Sequence, residues 1–372
     1  MRLLRPLTSL RVLAPALLAL IGACSDGVTA PDPLAAPATV TATTQGSTAV
    51  QLSWAAVAGA ERYEVDRATA TGTFATVATV TTTTFRDSTL VAETSYKFRV
   101  RALRGTEQGP YSTEATALTG DRPVVQVSAD ITANTTWSNT NVYQLTKIIS
   151  VANGATLTIQ AGTKIIGGTI TTGQAPPVSA LMVLRGSRLN AVGTAAQPIV
   201  FTSSAAAGSR APGDWGGLIL VGNARSNRTG RTVVEGPAPA DTVSWNGGNL
   251  DNDNSGEIVF SRVEFAGAAA ILNVELNSYS MYAVGSNTRF EYNQAIRGLD
   301  DMFEWFGGTV DGRYLVSYES GDDHFDMAEG YRGRLQYLIA LQTGPRVSLR
   351  SEERRVGKEC SQQCRSRWSP YH

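Results

Sequence analysis

The sequence predicts an all-β protein in two parts, a β-sandwich over residues 37–120 and a parallel β-solenoid over residues 121–349. Three observations carry this expectation. Only 17% of the 372 residues are charged, 36 are Gly, and no long run of helix formers occurs, a composition suited to short strands and frequent turns. Between Pro37 and Gly120 apolar and polar residues alternate with period two, which buries one face of a strand and wets the other. Beyond Val124 the chain resembles itself at a step of 22 residues, too short for a propeller blade and lacking the stripe of a helical repeat.

The N-terminus reads as an address. Arg2, Arg5 and Arg11 precede the apolar stretch Val12–Ile21, which ends in Ile21-Gly22-Ala23-Cys24. A basic start, a short apolar core and small residues describe a secretory signal over residues 1–23, too short for a stable transmembrane anchor. A cut before Cys24 resembles the bacterial lipobox, which implies a lipidated thiol and membrane attachment through lipid alone. The alternative is an ordinary signal peptide with an incidental cysteine. Ser25, where Asp commonly retains such lipoproteins at the inner membrane, points to the outer membrane. Residues 24–36, with Gly27, Pro31 and Pro33, are expected to be a flexible tether.

The sandwich is read from its strands. Val50-Gln51-Leu52-Ser53-Trp54 points Trp54 inward, Tyr63-Glu64-Val65 repeats the alternation, and Tyr96 to Ala102 sustains it. Strands at this spacing over the segment fit a seven-stranded sandwich. Trp54 at the end of a second strand, Leu90 and Tyr96 around a corner, and Tyr111-Ser112 opening the last strand make the segment resemble fibronectin type III. The resemblance implies a structural role for Tyr96 as the corner tyrosine. In exported bacterial proteins it implies a spacer, with a glycan- or protein-binding module as the alternative, because fold alone does not specify function.

The solenoid is read from its repeats. Gly285, Gly307 and Gly330 each stand seven residues before a tyrosine, at Tyr292, Tyr314 and Tyr337. Met281, Phe303 and Phe325 follow a step of 22, as do Asp300 with Asp322, Asp301 with Asp323, and Glu304 with Asp326. Upstream, Leu157-Thr158-Ile159, Leu181-Met182-Val183-Leu184, Ile199-Val200-Phe201 and Leu218-Ile219-Leu220 are short strands between Gly corners. These strings, with Val263-Glu264-Phe265-Ala266-Gly267 and the acidic pairs, resemble a family of exported bacterial right-handed parallel β-helix proteins, mostly of unassigned function. The resemblance implies fold and leaves function open, since the scaffold serves pectin lyases, glycoside hydrolases, tail spikes and adhesins.

The tail Arg350–His372 breaks from this composition and resembles the translation of a common short-read sequencing adapter. It is expected to be non-native, and the β-helix to be truncated at its C-terminal end. Without signal and tail the chain holds 23 basic and 29 acidic residues, a net charge of −6. No basic face for nucleic acid is expected from that balance. Cys24 is then the sole cysteine and His324 the sole histidine, so neither a disulfide framework nor a zinc site is expected.

Chemistry is expected where coils stack acids. Strands about 4.8 Å apart would put Asp300 over Asp322 and Asp301 over Asp323, and like charges about 5 Å apart repel by roughly 3 kcal/mol at an effective dielectric of 20. A divalent cation, a shared proton, a basic neighbour such as Arg297 or Arg313, or splaying into solvent would each offset that repulsion, and the stack reads as carboxylates capping backbone amides at a turn, as a calcium site, or as a catalytic acid/base pair. The catalytic reading takes Asp300, Asp301, Asp322 and Asp323 with His324 as the machinery of a polysaccharide lyase or glycoside hydrolase. Asp251-Asn252-Asp253-Asn254-Ser255-Gly256 matches half an EF-hand-like loop, which makes Asp251, Asp253 and Ser255 candidate calcium ligands, although Arg262 stands where the motif needs Glu. Among the aromatics, Phe303 and Phe325 recur with the coil and read as core, whereas Trp305 and Tyr331 are candidates for stacking sugar rings. The leading expectation is a cell-surface lipoprotein with a binding or adhesion role toward extracellular glycan or a surface protein. An enzyme on polysaccharide and a purely structural surface component are the alternatives.

Overall fold

The computed structural model describes residues 31–168, 179–228, 248–271 and 274–344. The expected signal, Cys24 and the tail Arg350–His372 lie outside them. The chain forms two compact units.

The first unit is a sandwich. Strands Thr41–Thr44, Val50–Ser53 and Thr84–Asp87 make one antiparallel sheet, and Arg62–Thr69, Ala75–Val80, Ser95–Arg104, Glu107–Tyr111 and Ala115–Leu118 make the other. Period-two alternation is visible in the longest strand. Tyr96, Phe98, Val100 and Ala102 are buried, while Arg99 and Arg101 point away and pair with Asp66 at 2.9 Å and Glu64 at 2.6 Å. Trp54 packs edge-on against Tyr63, their ring centroids 5.5 Å apart. Tyr111 and Ser112 do not open the last strand. Tyr111 ends the strand before it, because the Ser112 hydroxyl takes the Val100 N–H at 3.0 Å in place of a ladder bond. The far end of the expected tether is also docked. Leu34 is buried, its N–H donates to Glu107 at 3.2 Å, and the Asp32 carbonyl accepts from Arg104 at 2.8 Å.

The second unit is a parallel β-helix with three faces. The first face stacks Thr135–Trp137, Thr156–Ile159, Arg188–Val192, Gly256–Val259, Arg289–Glu291 and the start of Gly312–Tyr318. The second stacks Val124–Val127, Val142–Leu145, Lys164–Gly167, Ile199–Ser203, Ser261–Glu264, Gln294–Ile296 and the end of Gly312–Tyr318. The third stacks Ile148–Val151, Ala180–Val183, Gly217–Val221, Tyr279–Tyr282, Phe303–Phe306 and Asp326–Ala328. Every rung on these faces is parallel, so each coil adds one strand per face and its inward column continues the last. Ile149, Leu181, Leu218, Tyr279 and Phe303 form one such column, fully buried.

Single residues in the left-handed region turn the corners. Phe260, Tyr292, Tyr314 and Tyr337, with φ from 49° to 60°, stand between first and second faces. Phe265, Arg297 and Glu319 turn from second to third. Left-handed backbone is uncommon for bulky residues, and its recurrence at equivalent positions marks it as the device that closes each coil. The aromatic step of 22 needs one correction. Phe303 stacks on Tyr279 at 4.9 Å and on Phe325 at 5.3 Å, so Met281 pairs with Trp305 instead. The reason lies in the corner between Ala283 and Phe290, two residues longer than its successor between Gly307 and Gly312.

The third face is buried on both sides. Its outward residues Met182, Ile219, Val221, Tyr282 and Phe306 pack with Ala268 and Leu276 of the long connection that precedes Tyr279. A strand covered on both faces reads as a continuous apolar run, as in Ala180-Leu181-Met182-Val183. This covering places Glu304 in a buried setting.

Candidate functional site

Two features stand out on the last coils, an acidic cluster at the turn into the third face and an aromatic corner. The cluster is built by two successive turns, Gly298–Met302 and Ser320–Phe325. Register brings Glu304 beside Asp326, and it brings Asp301 to the next turn, where its Oδ1 accepts the Asp323 N–H at 2.7 Å. The Ser320 hydroxyl donates to the Asp323 carbonyl at 2.8 Å and the Asp300 carbonyl at 3.3 Å. Gly321 permits the close approach, since a Cβ there would sit 1.8 Å from the Leu299 carbonyl oxygen. Asp301 therefore performs the turn-capping role read from the sequence.

The same geometry pools oxygens. Ligand atoms of Asp300, Asp301 and Asp322 lie within 4.8 Å of one another, and so do those of Asp301, Glu304 and Asp326. Asp301 belongs to both groups. Burial, then the charge of Asp300, pushes the Asp301 carboxyl well above the usual carboxylate range. Burial, then the charge of Asp323, raises Asp326 as well. Asp300, Asp322 and Asp323 are half-buried and form its accessible edge, whereas Asp301 and Glu304 are buried. His324 stands on that edge with Nδ1 2.6 Å from the Ser317 hydroxyl. The five residues read as catalytic thus fall in one region, but the most perturbed of them, Asp301, faces inward.

The other expected ligands part company. Trp305 is fully buried, its ring near Phe303 and Tyr331 at centroid distances of 6.1 and 5.5 Å, so it is solenoid core and not a sugar platform. The half-buried Tyr331 packs against that core, and its hydroxyl donates to the Val310 carbonyl at 2.6 Å. Trp305 alternates inward with Phe303 on the strand Phe303–Phe306, whereas Tyr331 follows the next strand and closes over the core from a turn.

The EF-hand-like loop also fails as a cation site. The Asp251 carboxylate is held by Arg225 and Arg332, each at 2.8 Å, two guanidiniums in the place a cation would take. Asp253 turns inward, where burial raises its carboxyl above the ordinary value and Ser255 donates to it at 3.3 Å. The helices that aim such a loop in an EF-hand are absent among the described residues.

Sequence reading missed the aromatic corner as a surface. Phe260, Tyr292, Tyr314 and Tyr337 stack ring on ring at 4.6, 4.4 and 4.7 Å with interplanar angles under 10°. Together with Gln294, Val316 and Ile339 they line a groove of about 430 Å³. The three tyrosines are exposed, and their hydroxyls have no hydrogen-bond partner among the described residues. The recurrence of tyrosine seven residues after glycine was the available signal. Its meaning depended on the corner, which points a side chain outward where simple alternation predicts none.

A fibronectin-like sandwich followed by a three-faced parallel β-helix defines a modular all-β protein of the solenoid class. The pectate-lyase-like β-helix domain matches residues 129–363, more than half of the chain, and the chain belongs to that family. The fibronectin type III domain matches residues 35–117. Similar solved structures include an Fn3-like protein from Clostridium thermocellum, at 29% identity over 23% of this chain and 97% of that one, with a TM-score of 0.21. The fn3 domain of human contactin 1 is 23% identical over 26% of this chain and 91% of that one, with a TM-score of 0.22. Titin kinase with its flanking domains is 23% identical over 24% of this chain and has a TM-score of 0.23; the match spans only 18% of that longer protein. No curated protein matches the chain.

Proposed function

We propose that the protein is a glycan-binding lipoprotein of the bacterial outer surface. Lipid on Cys24 holds it to the outer membrane, the fibronectin type III module serves as spacer, and the β-helix presents its aromatic corner to an extracellular polysaccharide. The groove beside Tyr292, Tyr314 and Tyr337 is the observation that carries this reading. Sugars offer alternating C–H patches and hydroxyls, and the groove answers with an apolar floor at Val316 and Ile339 beside a row of exposed tyrosines and the Gln294 amide. Family membership supports a glycan-related role in the same coarse sense.

The test is affinity electrophoresis of the full chain through gels containing a panel of polysaccharides. At least one polysaccharide should retard the wild type, and Tyr314→Ala and Tyr337→Ala should each run faster in it. Absence of retardation by any polysaccharide, or equal retardation of the variants, refutes the reading; retention on a surface protein alone assigns the partner to that class instead. For the anchor, labelled fatty acid should enter the wild type and not Cys24→Ser. The adapter reading of Arg350–His372 is tested by sequencing source DNA across the Leu349/Arg350 junction, and a contiguous genomic read overturns it.

A further inference from the structure

The aromatic corner holds a reactivity that ring stacking by itself does not use. Among the described residues Tyr292, Tyr314 and Tyr337 are the only exposed tyrosines, and all three stand in one column. The others are buried or half-buried. Neighbouring rings of the column lie 4.4 and 4.7 Å apart, with interplanar angles of 7° and 8°. The backbone keeps them there. Each tyrosine sits in the left-handed region, at φ 56°, 57° and 60°, and the rungs around Tyr314 are fixed, with Arg313 opposite Gln336 and Leu315 opposite Leu338. One coil earlier the Tyr292 N–H donates to the Arg313 carbonyl at 3.0 Å. Phe260 ends the column and brings no phenol. Three accessible phenols are thus held face to face, at a local concentration that freely diffusing phenols cannot reach.

We propose that Tyr292, Tyr314 and Tyr337 form an oxidative modification site, at which a peroxide-derived one-electron oxidant links neighbouring coils through dityrosine. In each event two tyrosines each give up one electron and the phenolic proton. The unpaired spin of a phenoxyl spreads from oxygen to the ring carbons ortho and para to it; the para carbon already carries Cβ, which leaves the two Cε carbons to bond. Combination of two phenoxyls forms one Cε–Cε bond, and the two Cε–H protons then move to the oxygens and restore both phenols. The protein loses two hydrogens, and one hydrogen peroxide accepts them and leaves as two waters. Bond formation turns the rings out of parallel, a motion open to exposed side chains at an outward corner and closed to rings packed in a core. Tyr314 stands between the other two and has two Cε carbons, so it can join either neighbour. The link ties together coils otherwise held by hydrogen bonds and packing. It is independent of the glycan reading, since the oxidation needs no polysaccharide.

The experiment treats the full chain, dilute and free of polysaccharide, with hydrogen peroxide and a haem peroxidase, and then digests the monomer band of a denaturing gel with trypsin. Cleavage after arginine puts Tyr292, Tyr314 and Tyr337 in separate peptides, 290–297, 314–332 and 335–346. The monomer should show dityrosine fluorescence and yield 314–332 joined to 335–346 or to 290–297, two hydrogens lighter than the sum of the two peptides. Tyr314→Phe keeps a ring in the stack and removes the phenol, and it should abolish both joined species. Tyr318→Phe, which alters another tyrosine of the same peptide, should leave them at the wild-type yield. Absence of joined peptides from the monomer, linkage only between separate chains, or undiminished linkage in Tyr314→Phe overturns the proposal. Peptide mapping of the wild type remains decisive even if a variant fails to fold.

Discussion

Replacement of Tyr314 separates the two physical terms that hold the aromatic corner. Its ring stacks between Tyr292 at 4.4 Å and Tyr337 at 4.7 Å, and an aromatic pair is worth about 0.5–1.5 kcal/mol beyond burial. Losing both pairs in Tyr314→Ala should therefore cost about 1–3 kcal/mol. The backbone at Tyr314 sits at φ 57°, where an L side chain carries strain of roughly 1–2 kcal/mol. Tyr314→Gly loses the same rings but sheds that strain. Glycine should thus be the more stable of the two variants by about 1 kcal/mol, against the usual order in strands, where it is worse than alanine by about 0.5–1 kcal/mol. Val316, on the second-face part of the same strand, supplies the control, and Val316→Ala should be more stable than Val316→Gly. Urea unfolding of the four variants, followed by far-ultraviolet circular dichroism, measures the differences. If Tyr314→Gly is no more stable than Tyr314→Ala, the left-handed corner is not the strained device described here.

The remaining predictions concern charge. In the sandwich, burial alone would raise the Asp66 carboxyl, but hydrogen bonds from Tyr111, Arg99 and Thr76 outweigh it and hold the group below its ordinary 3.8. A depressed carboxyl contributes stability above its unfolded value and loses it as pH falls through the folded one. Asp66→Asn should then cost about 1–3 kcal/mol at pH 7, with the gap to wild type shrinking below about pH 4; a gap independent of pH would contradict the assignment. For the competing enzyme reading, unsaturated uronate or new reducing ends should appear from a polysaccharide panel and vanish in Asp322→Asn. No release by the wild type removes that reading.

How much of this was legible in the sequence differs by element. The sandwich alternation at Tyr96, Phe98 and Val100 survives into the structure because inside and outside are decided two residues apart. The tyrosine step and the pairing of Glu304 with Asp326 also survive, since coils of equal length must bring equivalent residues together. Trp305 was misread because the longer corner after Ala283 makes it, and not Phe303, the partner of Met281, and Tyr331 because the carbonyl that holds its hydroxyl, Val310, lies 21 residues away. The loop at Asp251 was misread because its neutralising partners, Arg225 and Arg332, lie 26 and 81 residues away in the chain.

By itself the sequence determined the all-β class, the two-part order and the coil repeat, because these follow from local composition and periodicity. Only the tertiary structure decided which repeated side chains meet solvent and which oxygens share a site. Corner conformation turns the tyrosines outward, and the connection carrying Ala268 and Leu276 buries the outer side of the third face. Asn277 thereby reaches Glu304 from a separate coil, a meeting set by register and loop length that no local pattern encodes.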